Sequence, residues 1–163
     1  MEFCWIPAGK ATLGSPFGER DRADGEKEYH FKTNGFWLGK YAVTQEQWKG
    51  VIGDEPSDFE GAKLPVEKVS WENCQQFISQ CDLKGLKLPH EGEWEYACRA
   101  GTTTATSFGD RLSSELANFQ GNEPYNGAEK GPTLNRASNV GSYPSNAWGL
   151  CDMQGNVVEW CRD

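Results

Sequence analysis

The sequence predicts an irregular, loop-rich α+β domain with short strands and about three short helices. Its 19 glycines and 8 prolines are scattered along 163 residues, which indicates many turns between short elements. Seven tryptophans, within an aromatic content of 12%, supply the ring packing for one core. This length fits one domain and no linker interrupts the chain, so we expect a single domain over residues 1–163.

Short apolar runs near the N-terminus predict the first strands. Phe3 to Ile6 and Ala11 to Leu13 are separated by a segment that contains Pro7 and Gly9, a pattern that predicts a hairpin. A polar stretch over residues 15–32 predicts a surface loop. The aromatic, partly alternating segment 36–43 then predicts a further strand.

Capping residues predict where the first helix begins. Thr44 and Gln47 have the spacing of a capping box, and Gly50 and Gly53 are expected to end the helix that follows. This pattern predicts a helix over residues 44–50.

Two further helices follow from periodicity and charge. Ser70 is a candidate cap for a helix over residues 70–82, whose apolar side chains recur at helical spacing at Cys74, Phe77, Ile78 and Cys81. The third helix is expected over residues 91–100, because acidic residues lie in its first turn and Gly101 follows its end. His90 takes its cap position.

Residues 102–145 show no sustained period. A stretch this long inside a compact domain is typical of a functional or metal-organised loop region. The segment 146–160 is expected to form a turn that enters a strand at Trp160.

The net charge of −8 and the isoelectric point near 4.8 exclude a nucleic-acid partner, which requires clustered basic residues. The same acidity tolerates a bound divalent cation. The chain shows no signal peptide and no apolar run that would span a membrane, so we expect a cytoplasmic protein. A secreted or periplasmic location stays open if the natural precursor begins upstream.

Six cysteines form neither a CxxC motif nor a Cys/His zinc pattern. Buried free thiols are the simpler interpretation, and up to three disulfides are the alternative. The six lie at positions 4, 74, 81, 98, 151 and 161.

Four blocks of sequence carry a family resemblance. They are GFWLGKYAVT (35–44), LPVEKVSW (64–71), KLPHEGEWEYA (87–97), and a last block over 146–160 that contains GNVVEW. In this order they resemble the formylglycine-generating-enzyme, or sulfatase-modifying-factor, family, which implies a C-type-lectin-like fold. The chain departs from the family pattern at His90, Gly92 and Val158.

The resemblance implies an enzyme that uses oxygen to oxidise a cysteine of a sulfatase to formylglycine. Family members hold copper with two cysteines that lie beyond the last block. The expectation is therefore a C-terminally incomplete domain that has no catalytic residue among residues 1–163 and is inactive by itself. A copper site at Cys151 and Cys161 is an open alternative, since thiolates select Cu(I).

The resemblance also implies structural calcium. The family's ligands carry over to the side chains of Asn156 and Glu159 and to the carbonyls of Gly155 and Val157, and hard oxygens of this kind suit calcium. The alternative is that Asn156 caps the turn and Glu159 pairs with an arginine such as Arg99 or Arg162. A second family calcium site maps onto Asn118 and Phe119.

Two functions compete at this point. The first is a formylglycine-generating domain with a sulfatase-like protein or peptide as substrate. The second is a non-catalytic, lectin-like module that presents loops to a protein, peptide or glycan.

Overall fold

Two pairs of antiparallel strands form one interrupted ribbon at the N-terminal end of the protein. The computed structural model describes all residues, 1–163. Strand β1 pairs with β4 and β2 pairs with β3, with Ile6 opposite Phe36 and Gly9 opposite Thr33. The four strands are β1 (Phe3–Ile6), β2 (Gly9–Leu13), β3 (Tyr29–Thr33) and β4 (Phe36–Gly39).

The predicted hairpin between the first two apolar runs is wrong, because these runs pair with later strands and not with each other. Residues 3–13 instead run antiparallel to residues 29–39, and the ladder breaks where Pro7 and Ala8 face Asn34 and Gly35. Proline has no N–H to donate, so the ladder is interrupted there. The predicted strand over residues 36–43 is also shorter, since β4 ends at Gly39.

Three helices confirm the helical predictions: α1 (Gln45–Ile52), α2 (Trp71–Gln80) and α3 (Glu91–Arg99). The side chains of Thr44 and Ser70 accept hydrogen bonds from the third residue of α1 and α2, respectively. Gly50 does not end α1, because the left-handed residue that closes this helix is Gly53. No helix of the protein has both the length and the apolarity to cross a membrane.

The core lies between the strand ribbon, α3 and the last block. Tyr96 of α3 lies at its centre. The centroid of its ring is 5.4 Å from that of the Phe31 ring and 5.0 Å from that of the Trp148 ring. A second contact joins α1 to α2, where the rings of Trp48 and Phe77 stack at 5.2 Å. The buried members of the central cluster are Ile6, Leu13, Tyr96, Ala97, Cys98, Leu150 and Met153.

Residues 100–163 contain no helix and no strand, only turns and isolated bridges. This confirms the loop region predicted for residues 102–145. The strand expected at Trp160 is absent, and the indole of Trp160 instead donates a hydrogen bond to the carbonyl of Val69. Side-chain contacts and isolated backbone hydrogen bonds therefore hold the last block, where a strand ladder was expected.

Candidate cation site

The last block folds into a tight turn over residues 152–157. The amide of Gly155 donates to the carbonyl of Asp152, and both Asp152 and Asn156 have left-handed backbones, with φ of 63° and 78°. Gly155 packs so closely that a β-carbon there would lie 2.5 Å from the carbonyl oxygen of Asn118. The turn therefore requires glycine at position 155.

Asn156 ties this turn to two other loops. Its amide N–H donates to the carbonyl of Asn118 over 2.8 Å, and its side-chain Nδ2 donates to the carbonyl of Ser138. Its Oδ1 accepts from the Asn118 side chain and from both the amide and the hydroxyl of Ser138. The side chain of Asn156 is therefore already engaged in holding the loops together.

Glu159 lies on the other side of the turn. Its Oε2 accepts a hydrogen bond of 3.0 Å from the indole N–H of Trp94. Burial raises the pKa of this carboxyl, and the negative charge of Asp152 raises it further. No arginine or lysine forms an ion pair with Glu159. Arg99, one of the two expected partners, forms its ion pair with Glu95. Arg162, the other expected partner, contacts His90.

Asp152 adds a second carboxylate, which is not among the residues predicted from the sequence. Its Oδ2 accepts a hydrogen bond of 2.7 Å from the amide of Gly141, whereas its Oδ1 is buried and has no partner. Burial raises the pKa of this carboxyl. An unpaired buried carboxylate oxygen is destabilising in the absence of a positive charge or a donor.

The structure brings five of the six predicted site residues together. Asn118, Phe119, Asn156 and Val157 line one polar cavity of about 770 Å³, and Gly155 contacts Asn118 at its edge. Glu159 does not line this cavity. Asn122, four residues after Asn118, also lines the cavity.

No disulfide joins any of the six cysteines. All six are free, and burial raises the pKa of Cys98 to about 12 and that of Cys161 to about 11. The charges that act on Cys151 come from Asp152 and Lys40 among others, whereas those on Cys161 come from residues 163, 159 and 91. The two cysteines of the alternative copper pair therefore lie in different surroundings.

The strand ribbon, the three helices and the long loop region form an irregular α+β domain. The model of the sulfatase-modifying factor enzyme 1-like domain matches residues 1–163. The chain belongs to this family.

Two curated relatives and one solved structure illustrate the relationship. The formylglycine-generating enzyme of Mycobacterium tuberculosis is 36% identical over 69% of this chain and 38% of its own length. The chaperone protein LppX of Paenibacillus barcinonensis is 30% identical over 77% of this chain and 61% of its own length. The structure of PvdO from Pseudomonas aeruginosa superposes with a TM-score of 0.78 at 26% identity, covering 99% of this chain and 70% of that one. The chain thus spans less than two thirds of the length of these curated relatives.

Proposed function

We propose that residues 1–163 form the calcium-stabilised framework of a formylglycine-generating-type domain. The observation that carries the proposal is the buried, unpartnered Oδ1 of Asp152 on the turn that leads to Glu159. Two carboxylates without a basic partner are best stabilised by a cation.

The available oxygens fit calcium. The carbonyl of Val157 accepts no hydrogen bond within the chain, and Asp152 and Glu159 supply carboxylates. The carbonyl of Gly155 adds a further oxygen on the same turn. No cluster of three or more His, Cys, Asp or Glu side chains occurs, so a site here depends on backbone oxygens, which calcium accepts. In this assignment Asn156 holds the turn in place, while Asn118 and Phe119 form the neighbouring loop.

Calcium is expected to raise the melting temperature of the protein. A ligand that binds only the folded state at a hundredfold excess over Kd stabilises it by about 2.7 kcal/mol. Asp152→Asn and Glu159→Gln keep the side-chain shapes but each remove a charge, so each should reduce the calcium-dependent rise. Differential scanning calorimetry with calcium and with EDTA measures both effects.

The matched control is Asp24→Asn, a substitution at an exposed carboxylate in the loop before β3, which should leave the rise unchanged. An EDTA-insensitive melting temperature of the wild-type protein would show that Glu159 and Asp152 are structural residues without a metal.

The reaction of the complete domain is proposed from the relationship to formylglycine-generating enzymes, as the copper-dependent oxidation of a sulfatase cysteine. Burial raises the pKa of the thiols of Cys74, Cys98, Cys151 and Cys161, which disfavours the thiolate form that would hold copper at these positions. The chain is therefore proposed to be inactive by itself.

Incubation of residues 1–163 with copper, oxygen and a peptide containing Cys-x-Pro-x-Arg should leave the peptide unmodified, because burial disfavours the thiolates that would bind Cu(I). Mass spectrometry of the peptide measures the outcome, with the M. tuberculosis enzyme as the positive control. Appearance of the aldehyde product with this chain alone would contradict the proposal.

A non-catalytic binding module is the second candidate function. The open polar cavity beside Asn118 and Asn156 favours it, because side chains without intramolecular partners are available there to a ligand. The relationship to LppX, a protein named as a chaperone, is consistent with a binding role.

A further inference from the structure

The polar cavity has the size and the composition of a small-molecule site. Its volume of about 770 Å³ lies within the range of roughly 300–1,000 Å³ that is common for ligand pockets. Only 4 of its 13 lining residues are hydrophobic, so hydrogen bonding must supply most of the recognition. The walls come from loops around residues 58–67, 118–122 and 133–137 and from the turn at Asn156.

Internal hydrogen bonds hold the walls in place. The side chain of Asn118 donates to the carbonyl of Arg136 over 2.9 Å and to Oδ1 of Asn156 over 3.1 Å. Across the cavity, the hydroxyl of Thr133 donates to the side chain of Asn122 over 2.9 Å. A site held by such bonds is largely pre-formed, which reduces the entropy lost on binding.

Other lining groups have no partner in the chain. The side-chain amides of Gln120 and Asn135 form no intramolecular hydrogen bond, and both residues are exposed. The guanidinium of Arg136 forms no ion pair and lies 6.0 Å from the ring centroid of Phe59. Phe59 is 44% exposed, so part of its ring is available to a ligand.

The charges of the cavity nearly cancel. Asp58 is paired with Lys68, and the positive charge of Arg136 offsets the negative charge of Glu67. A phosphate or sulfate in the cavity would lie near one cation but also near two carboxylates, which would repel it. A strongly basic ligand would be repelled by Arg136. A near-neutral site therefore favours a neutral ligand over an ion.

We propose that the polar cavity binds a neutral saccharide of one or two rings. Sugar hydroxyls both donate and accept hydrogen bonds, which matches the free amides of Gln120 and Asn135. The apolar C–H face of a sugar ring can pack against the exposed ring of Phe59. This inference deepens the binding-module function, and its side-chain contacts require no metal ion.

The test is titration of the chain with glucose, galactose, mannose, maltose and cellobiose, once with calcium and once with EDTA. Binding should shift the side-chain amide signals of Gln120 and Asn135 in ¹H–¹⁵N NMR spectra, and isothermal titration should give the affinity. Phe59→Ala should weaken binding roughly tenfold through loss of ring packing. Asn135→Gly removes the amide but tolerates the left-handed backbone at this position, where φ is 54°, and should weaken binding to a similar extent.

The matched control is Phe17→Ala, because this ring is 96% exposed and does not line the cavity. The affinity of the Phe17→Ala protein for the sugar should equal that of the wild-type protein. The proposal is overturned if no sugar of the panel shifts the two amide signals, if Phe59→Ala and Phe17→Ala behave alike, or if glucose 6-phosphate or glutamate binds more tightly than every neutral sugar. These outcomes leave the calcium proposal unaffected, since that proposal is tested by the melting temperature and the sugars are titrated both with calcium and with EDTA. A peptide that shifts the same signals would overturn the saccharide proposal and redirect the binding-module function to a protein partner.

Discussion

Replacing Asn146 with alanine is expected to lower the free energy of unfolding by about 4 kcal/mol, because four backbone groups lose their partner. Asn146 is buried, and its Nδ2 donates to the carbonyls of Ala97 and Cys98 over 2.8 and 3.2 Å. Its Oδ1 accepts from the amides of Trp148 and Leu150. One side chain thus satisfies two carbonyls in the last turn of α3 and also shapes the turn that begins the last block.

Denaturation by urea measures this loss, and Asn139→Ala is the matched control. Asn139 is exposed and its side chain forms no intramolecular hydrogen bond, so its replacement should change the free energy of unfolding by less than about 0.5 kcal/mol. Equal effects of the two substitutions would show that the buried amide of Asn146 does not support α3.

Local signals in the sequence were sufficient for the helices. Thr44 and Ser70 stand at caps, and the apolar spacing that includes Phe77 follows from the geometry of a helix, so each helix can be recognised within about a dozen residues. The prediction that Gly50 ends α1 was wrong because local sequence alone was available. A glycine inside a helix and a glycine after its end look alike until the backbone angle is known.

The strand pairing could not be predicted in this way. The runs that contain Ile6 and Leu13 have few residues between them, and short connections usually join antiparallel neighbours. Their actual partners lie farther along the chain, from 16 residues away for Leu13 and Tyr29 to 36 for Phe3 and Gly39, across a charged loop that carries no pairing signal. The strand expected in the last block was wrong for a different reason. Trp160 is an aromatic residue of a kind common in strands, but its side chain holds it in place through a hydrogen bond.

The turn and its neighbouring loop were indicated by the sequence, whereas the contacts of their side chains were not. The motif around Gly155 indicated the turn, and the resemblance indicated its neighbour at Asn118. Only the three-dimensional contacts show that Asn156 is occupied by three donors and that Asp152 has an unpartnered oxygen. An acidic residue three positions before the glycine was the one signal in the sequence that could have indicated Asp152.

Gly50→Ala and Gly155→Ala should change stability in opposite directions, although each adds one methyl group. A β-carbon at Gly50 meets no atom within 4 Å, and the position lies inside α1, so alanine should stabilise the protein by roughly 0.5–1 kcal/mol. This substitution is therefore the control for the effect of removing a flexible glycine.

Gly155→Ala is expected to lower the free energy of unfolding by about 3 kcal/mol, the upper range for a substitution that adds atoms to a packed site. The added methyl would lie 2.5 Å from the carbonyl oxygen of Asn118, a backbone atom that also accepts the amide hydrogen of Asn156. Because the two loops must separate to relieve this contact, the hydrogen bonds of Asn156 should weaken and the carbonyl of Val157 should move. We therefore expect Gly155→Ala to lose the calcium-dependent rise in melting temperature as well, whereas Gly50→Ala should retain it in full. A Gly155→Ala protein with wild-type stability and an unchanged response to calcium would show that the turn and the loop at Asn118 do not depend on each other.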